Sequence, residues 1–130
     1  MRYRLPADDL EYAVLAQLWE LGTASVRELH DRLGAPQGLV YTTTAKVVDR
    51  LREKGLVSRQ PQGNAFVYRP RVARDEVERA RARNVVSRLL GATPRAAVAA
   101  LVEAVDAVDP ELLDELERAI AERQRSRHGA

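Results

Sequence analysis

Cysteine is absent from the 130 residues, which excludes a disulfide framework, thiolate metal sites and a cysteine nucleophile. Histidine is almost as scarce. His30 and His128 lie far apart, the second in a basic tail, so a histidine metal site is not expected. His30 has only Asp31 near it at ligand spacing and reads as a surface residue. No apolar run approaches the about 20 residues of a membrane span, and the opening MRYRLPADDL has no signal-peptide core. A soluble, cytoplasmic chain is therefore expected. Also missing are G-x-S-x-G, a P-loop, H-E-x-x-H and a glycine-rich dinucleotide loop, so no enzyme is expected. The acids Glu103, Asp106, Glu111, Asp114, Glu115 and Glu117 read as a helix surface rather than an acid/base pair. No cofactor is expected.

What is present suffices for a core. Hydrophobic residues make up 45% and charged residues 31%, a globular balance for one domain or a small domain with an appendage. The net charge of +2 hides an asymmetry. Residues 39–71 hold Lys46, Arg50, Arg52, Lys54, Arg59, Arg69 and Arg71 against Asp49 and Glu53, a local +5. Residues 103–122 hold eight acids against Arg118, a local −7. Two solvated helix faces would give such a pattern. So would a nucleic-acid binder with a separate association segment.

The pattern divides the chain into residues 1–72 and 73–130. LEYAVLAQLWELG (10–22) places Leu10, Val14, Leu15, Leu18 and Trp19 at helical spacing, with Asp8 or Asp9 as cap and Gly22 as stop. Trp19 belongs to that stripe and is expected to pack in the core. SVRELHDRLG (25–34) opens on a capping box, Ser25-x-x-Glu28, and is expected to close at Gly34. A turn at 35–38 precedes a third helix over 39–55. Its inner face is expected to hold Val40, Thr44, Val47, Val48 and Leu51. Thr42, Thr43 and Thr44 are poor helix formers, so something other than local stability keeps them there. LVSRQ (56–60) and AFVYR (65–69) flank the turn 61–64 and predict a β-hairpin.

The second half reads as three helices. The first covers 74–91, capped by Asp75 and ended by Gly91. The second starts at Thr93-Pro94 and carries Val98, Leu101, Val102 and Val105. The third starts at Asp109-Pro110 and carries Leu112, Leu113, Leu116 and Ile120, before a frayed tail at 126–130. These eight apolar residues need a cover, each being worth about 1.5–3 kcal/mol when buried. A second copy of the chain is the expected cover, with folding back onto the first half as the alternative.

The fold class expected is mostly α with a small β-hairpin: a winged helix-turn-helix domain followed by a helical dimerisation segment. In such a domain the third helix enters the major groove of double-stranded DNA and reads base edges near its N-terminal end. Here that places Tyr41, Thr42, Thr43, Ala45 and Lys46 at the bases, with Arg50 behind them. The hairpin tip, Gln62 to Asn64, and Arg59 would follow the adjacent backbone or minor groove. Some winged helices bind only proteins, and others sense small molecules directly, so both classes stay open at this point.

Three stretches resemble a known family: LEYAVLAQLWELG, SVRELHDRL, and YTTTAKVVDRLREKGLVSRQ followed by FVYRP. Together they are similar to the BlaI/MecI/CopY family of penicillinase-repressor-type transcriptional regulators. The resemblance spans the whole chain and is strongest over residues 8–70. It implies a homodimer that binds inverted-repeat operators and represses transcription, often of β-lactamase or methicillin-resistance genes. It also implies a membrane sensor peptidase as partner, leading to cleavage in the dimerisation region. The Asn-Phe cleavage pair is absent, the matching region being around Ala99, Ala100 and Leu101. Copper-responsive members release DNA through a cysteine cluster, which this chain lacks. By motif match the operator contacts fall on Thr42, Thr43 and Lys46, with Arg50 and the wing in support. Positions that are basic elsewhere in the family are Thr42 and Ala45 here, which implies a different operator sequence.

Overall fold

The computed structural model describes residues 2–129, which form two compact units divided between Ala82 and Arg83. The first unit starts with α1 (Asp9–Leu21), capped by Asp8, whose carboxylate accepts from the Glu11 amide at 2.8 Å. A two-residue strand β1 (Ala24–Ser25) leads into α2 (Val26–Leu29). Both halves of the Ser25–Glu28 capping box are formed, at 3.1 Å each. The chain then passes through a π-helical segment (His30–Gly34) and a 3₁₀ turn (Ala35–Gln37) to α3 (Tyr41–Glu53). The hairpin β2 (Val57–Gln62) and β3 (Ala65–Pro70) follows, and α4 (Arg74–Ala92) begins within this unit.

The three strands form one antiparallel sheet in the order β1-β3-β2. Because β2 is an edge strand, Pro61 can sit inside it opposite Phe66 without costing a ladder hydrogen bond. Leu15, Leu18, Leu29, Val47, Val48, Leu51, Leu56 and Val77 are fully buried together and form the core. Burial of these eight ties α1, α2, α3 and the start of α4 into one body. Trp19 packs against that core and donates its indole N–H to the Val72 carbonyl at 2.9 Å.

Several local expectations are corrected. The third helix covers 41–53, not 39–55, and Val40 stands at its N-cap, 64% exposed instead of buried. Gly34 does not end the second helix, since the backbone stays helical to Gln37. The expected turn 61–64 contracts to Gly63-Asn64, because Pro61 and Gln62 complete β2. Gly63 takes φ +63°, a value that suits glycine. β1 had no signal, being too short for a period. Asp75 lies inside α4 rather than capping it, and α4 ends at Ala92 rather than Gly91. The first unit also extends past residue 72, as the buried Val77 of α4 requires.

In the second unit α5 (Pro94–Val108) and α6 (Pro110–His128) form an α-hairpin joined at Asp109. Asp109 caps α6 by accepting from the Glu111 amide at 3.0 Å. The helix runs on to His128, so residues 126–128 are not a frayed tail; Ala130 lies outside the described residues. Val98, Leu101, Val102, Leu112 and Ile120 are exposed, and Val105, Leu113 and Leu116 are half-buried. Val85, Leu89 and Leu90 of α4 are exposed too.

Candidate nucleic-acid interface

The outward face of α3 follows from its inner one. Thr44, Val47, Val48 and Leu51 go into the core, which turns Thr42, Lys46 and Arg50 outward as an exposed row at four-residue spacing. Tyr41 is 39% exposed, and Thr43 and Ala45 are half-buried beside the row. Arg50 is partly engaged from below: its Nε lies 4.0 Å from a carboxylate oxygen of the buried Glu11. Glu11 also accepts from Lys54 Nζ and from the Ala7 amide. The buried carboxylate thus fixes the C-terminal turn of α3 against α1.

The N-terminal turn is fixed from the other side. His30, expected at the surface, is buried, with its Nδ1 2.8 Å from the hydroxyl of Thr44. Such a pairing removes the cost of burying either polar group alone. The imidazole and the Tyr41 ring meet edge-to-face with 5.5 Å between centroids, and the Arg27 guanidinium lies 4.4 Å from the Tyr41 ring centre. Tyr41 is therefore a brace between α2 and α3 as well as a candidate contact. Gly34 is what lets the two segments approach. A Cβ there would lie 2.5 Å from His30 Nδ1 and closer still to Thr44 Oγ1.

In the wing, Arg59, Gln62 and Asn64 are all exposed, but they do not share one face. The register pairs Arg59 with Tyr68 and Pro61 with Phe66, and alternation places these four on one side of the ribbon. Gln62 belongs to the opposite side. Tyr68 is buried, so the Arg59 side is the one continuous with the core. Between this side of the wing and the starts of α2 and α3 lies a cleft of about 290 Å³, lined by Arg27, Tyr41, Asn64 and Phe66 among others. Sequence reasoning missed Arg27 and Phe66. Arg27 lies one turn ahead of His30 on the same helical run, and Phe66 shares strand parity with Tyr68, but neither signal identifies its contact partner.

The groups with shifted acidity lie away from this face, where α4 meets α1. Tyr12 donates its hydroxyl proton to Glu78, and that hydrogen bond, followed by desolvation, raises the phenol above its ordinary pKa. The Tyr12 bond and then the Arg74 bond, 3.0 Å long, hold the Glu78 carboxyl below the usual range. Arg81 stacks over the Tyr12 ring at 3.8 Å. Among the described residues no cluster of His, Cys, Asp and Glu could hold a metal ion, and no helix is long and apolar enough to cross a membrane.

Comparison with known proteins places this geometry. The model of the penicillinase repressor family matches residues 8–122. A transcriptional regulator BlaI of Mycobacterium tuberculosis is 36% identical over 115 residues, covering 88% of this chain and 82% of that protein. The solution structure of the DNA-binding domain of the repressor BlaI matches with a TM-score of 0.51 at 23% identity. That match covers 57% of this chain and 92% of that domain, and it establishes the shared winged-helix fold. The chain belongs to the penicillinase repressor family of winged-helix transcriptional regulators.

Proposed function

We propose that this protein represses transcription as a homodimer on inverted-repeat operator DNA. Two copies of α3 enter successive major grooves on one side of the duplex. Thr42, Thr43 and Ala45 face the base edges, with Tyr41 at the helix start. Lys46 and Arg50 neutralise phosphate or reach guanine. Arg59, Gln62 and Asn64 follow the neighbouring backbone or minor groove. The observation that carries this reading is the outward row of Thr42, Lys46 and Arg50 on a helix pinned at both ends, by His30–Thr44 and by Glu11–Lys54.

Dimerisation falls to residues 73–130, through Val98, Leu101, Val102, Val105, Leu112, Leu113, Leu116 and Ile120. The exposure of five of these, at helical spacing on two packed helices, supports an apolar interface of this kind. Family membership supports control of β-lactam-response or related genes. It also supports relief of repression by a membrane sensor peptidase that leads to cleavage in α5 around Ala99, Ala100 and Leu101, all of which are exposed.

Sedimentation velocity with a labelled duplex from upstream of the protein's own gene tests the core of this reading. The expected result is a complex of two chains per duplex. Single chains only, free and with excess duplex, would overturn it.

A further inference from the structure

The wing carries an exposed aromatic with no role in the core. Phe66 is 41% exposed and lies outside the buried cluster, yet it stands two residues from Tyr68 on the face that continues into that cluster. Its ring carries the Arg59 guanidinium, 4.0 Å from the ring centre. Arg59 has no carboxylate partner among the described residues. A guanidinium seated over an aromatic ring loses conformational freedom but keeps its charge and its N–H donors. We infer that Phe66 is a positioning residue, holding Arg59 so that its guanidinium enters the minor groove beside the α3 site and favours A·T pairs there.

The inference rests on the DNA-binding reading above and adds to it a readout that does not involve α3. A narrow A·T minor groove concentrates negative potential and attracts arginine, whereas the guanine N2 amino group widens and obstructs it. A free arginine on a flexible strand would pay side-chain entropy to enter that groove. The stacked one has already lost most of that freedom. The same stacking places the cation on the core-side face of the ribbon, next to the cleft that opens toward Tyr41 and α3, rather than on the Gln62 face.

The test uses the full chain and the upstream duplex that footprinting defines, with the wing-proximal pairs changed to A·T, I·C or G·C. Inosine removes the N2 amino group, so I·C resembles A·T in the minor groove and G·C elsewhere. Fluorescence anisotropy should give similar affinity for A·T and I·C flanks and about tenfold weaker binding to G·C. Arg59→Ala and Phe66→Ala should each bring that ratio toward one, while Phe66→Tyr should retain it. Unchanged thermal unfolding of Phe66→Ala is expected, since the ring is outside the core. An unaltered flank preference in Phe66→Ala would overturn the positioning role. Equal weakening on all three flanks by Arg59→Ala, with a salt slope lower by about one, would mean a plain phosphate contact and would overturn the groove readout. No binding of any duplex by the unaltered protein would instead overturn the DNA-binding reading itself.

Discussion

The Nδ1 atom of His30 and the hydroxyl of Thr44 meet at 2.8 Å in a buried contact that joins the segment after α2 to the first turns of α3. The two helices of the helix-turn-helix are thereby held at one spacing by a directional bond as well as by packing. Replacing Thr44 with Val keeps shape but leaves the imidazole nitrogen unpaired. The expected loss is about 1–3 kcal/mol in urea unfolding. A second substitution at His30 should then cost less than it does alone, because the partners share one interaction.

Gly34 makes that contact sterically possible. Gly34→Ala adds a Cβ 2.5 Å from His30 Nδ1, so the helices must separate, at about 1–3 kcal/mol. Gly91, on α4, has nothing within 4 Å of such a Cβ. There the same change should stabilise by about 0.5–1 kcal/mol through helix propensity alone. Opposite signs at the two glycines in thermal unfolding are the expected outcome.

Glu11 is 2% exposed and depends on Lys54 for its closest cation. Lys54→Ala leaves the carboxylate with the Ala7 amide and the more distant Arg50. A loss of about 3 kcal/mol is expected, as for other buried pairs broken on one side. Glu11→Ala in the same background should recover part of it, and chemical denaturation of the single and double variants measures the difference.

The α1–α4 contact makes stability depend on pH at both ends. The folded Glu78 carboxyl titrates below its unfolded value, so its contribution is present above the ordinary carboxylate range and lost as pH falls through the lowered value. Tyr12 titrates above its ordinary value of 10.0, so its contribution is complete below that value and lost as pH rises through the raised one. Tyr12→Phe should flatten both limbs of a plot of urea midpoint against pH. The acid limb should flatten only in part, because Arg74 still holds Glu78.

The helices of both halves were legible because their apolar residues recur at 3.6-residue spacing, and Ser25–Glu28 marked one start outright. The winged-helix order and the outward placement of Thr42 and Lys46 follow from the same period, which sets Arg50 on the flank and Ala45 and Asp49 on the outer face, whereas the structure exposes Arg50 and leaves Ala45 and Asp49 half-buried. What periodicity could not convey was pairing across the fold. The neighbours of His30 along its own helix offer it no partner, and the group it meets is a threonine 14 residues on. Of the three threonines, Thr44 is explained by its buried bond to His30, while Thr42 is exposed and Thr43 half-buried. Val40 fits the inner face by period but stands at the N-cap, because a period extrapolated outward does not reveal where the cap falls. The stacking of Arg59 on Phe66 depends on strand register, which the hairpin pattern left open by the length of its turn.

The most direct measurement is the affinity of Lys46→Ala for the upstream duplex, taken by anisotropy over a range of salt. Lys46 is exposed on α3 and outside the core, so the variant should unfold like the parent protein. Binding about five- to tenfold weaker, with a salt slope smaller by about one for each phosphate no longer neutralised, is expected if α3 lies against the duplex. Affinity and slope both equal to those of the parent protein would contradict that placement.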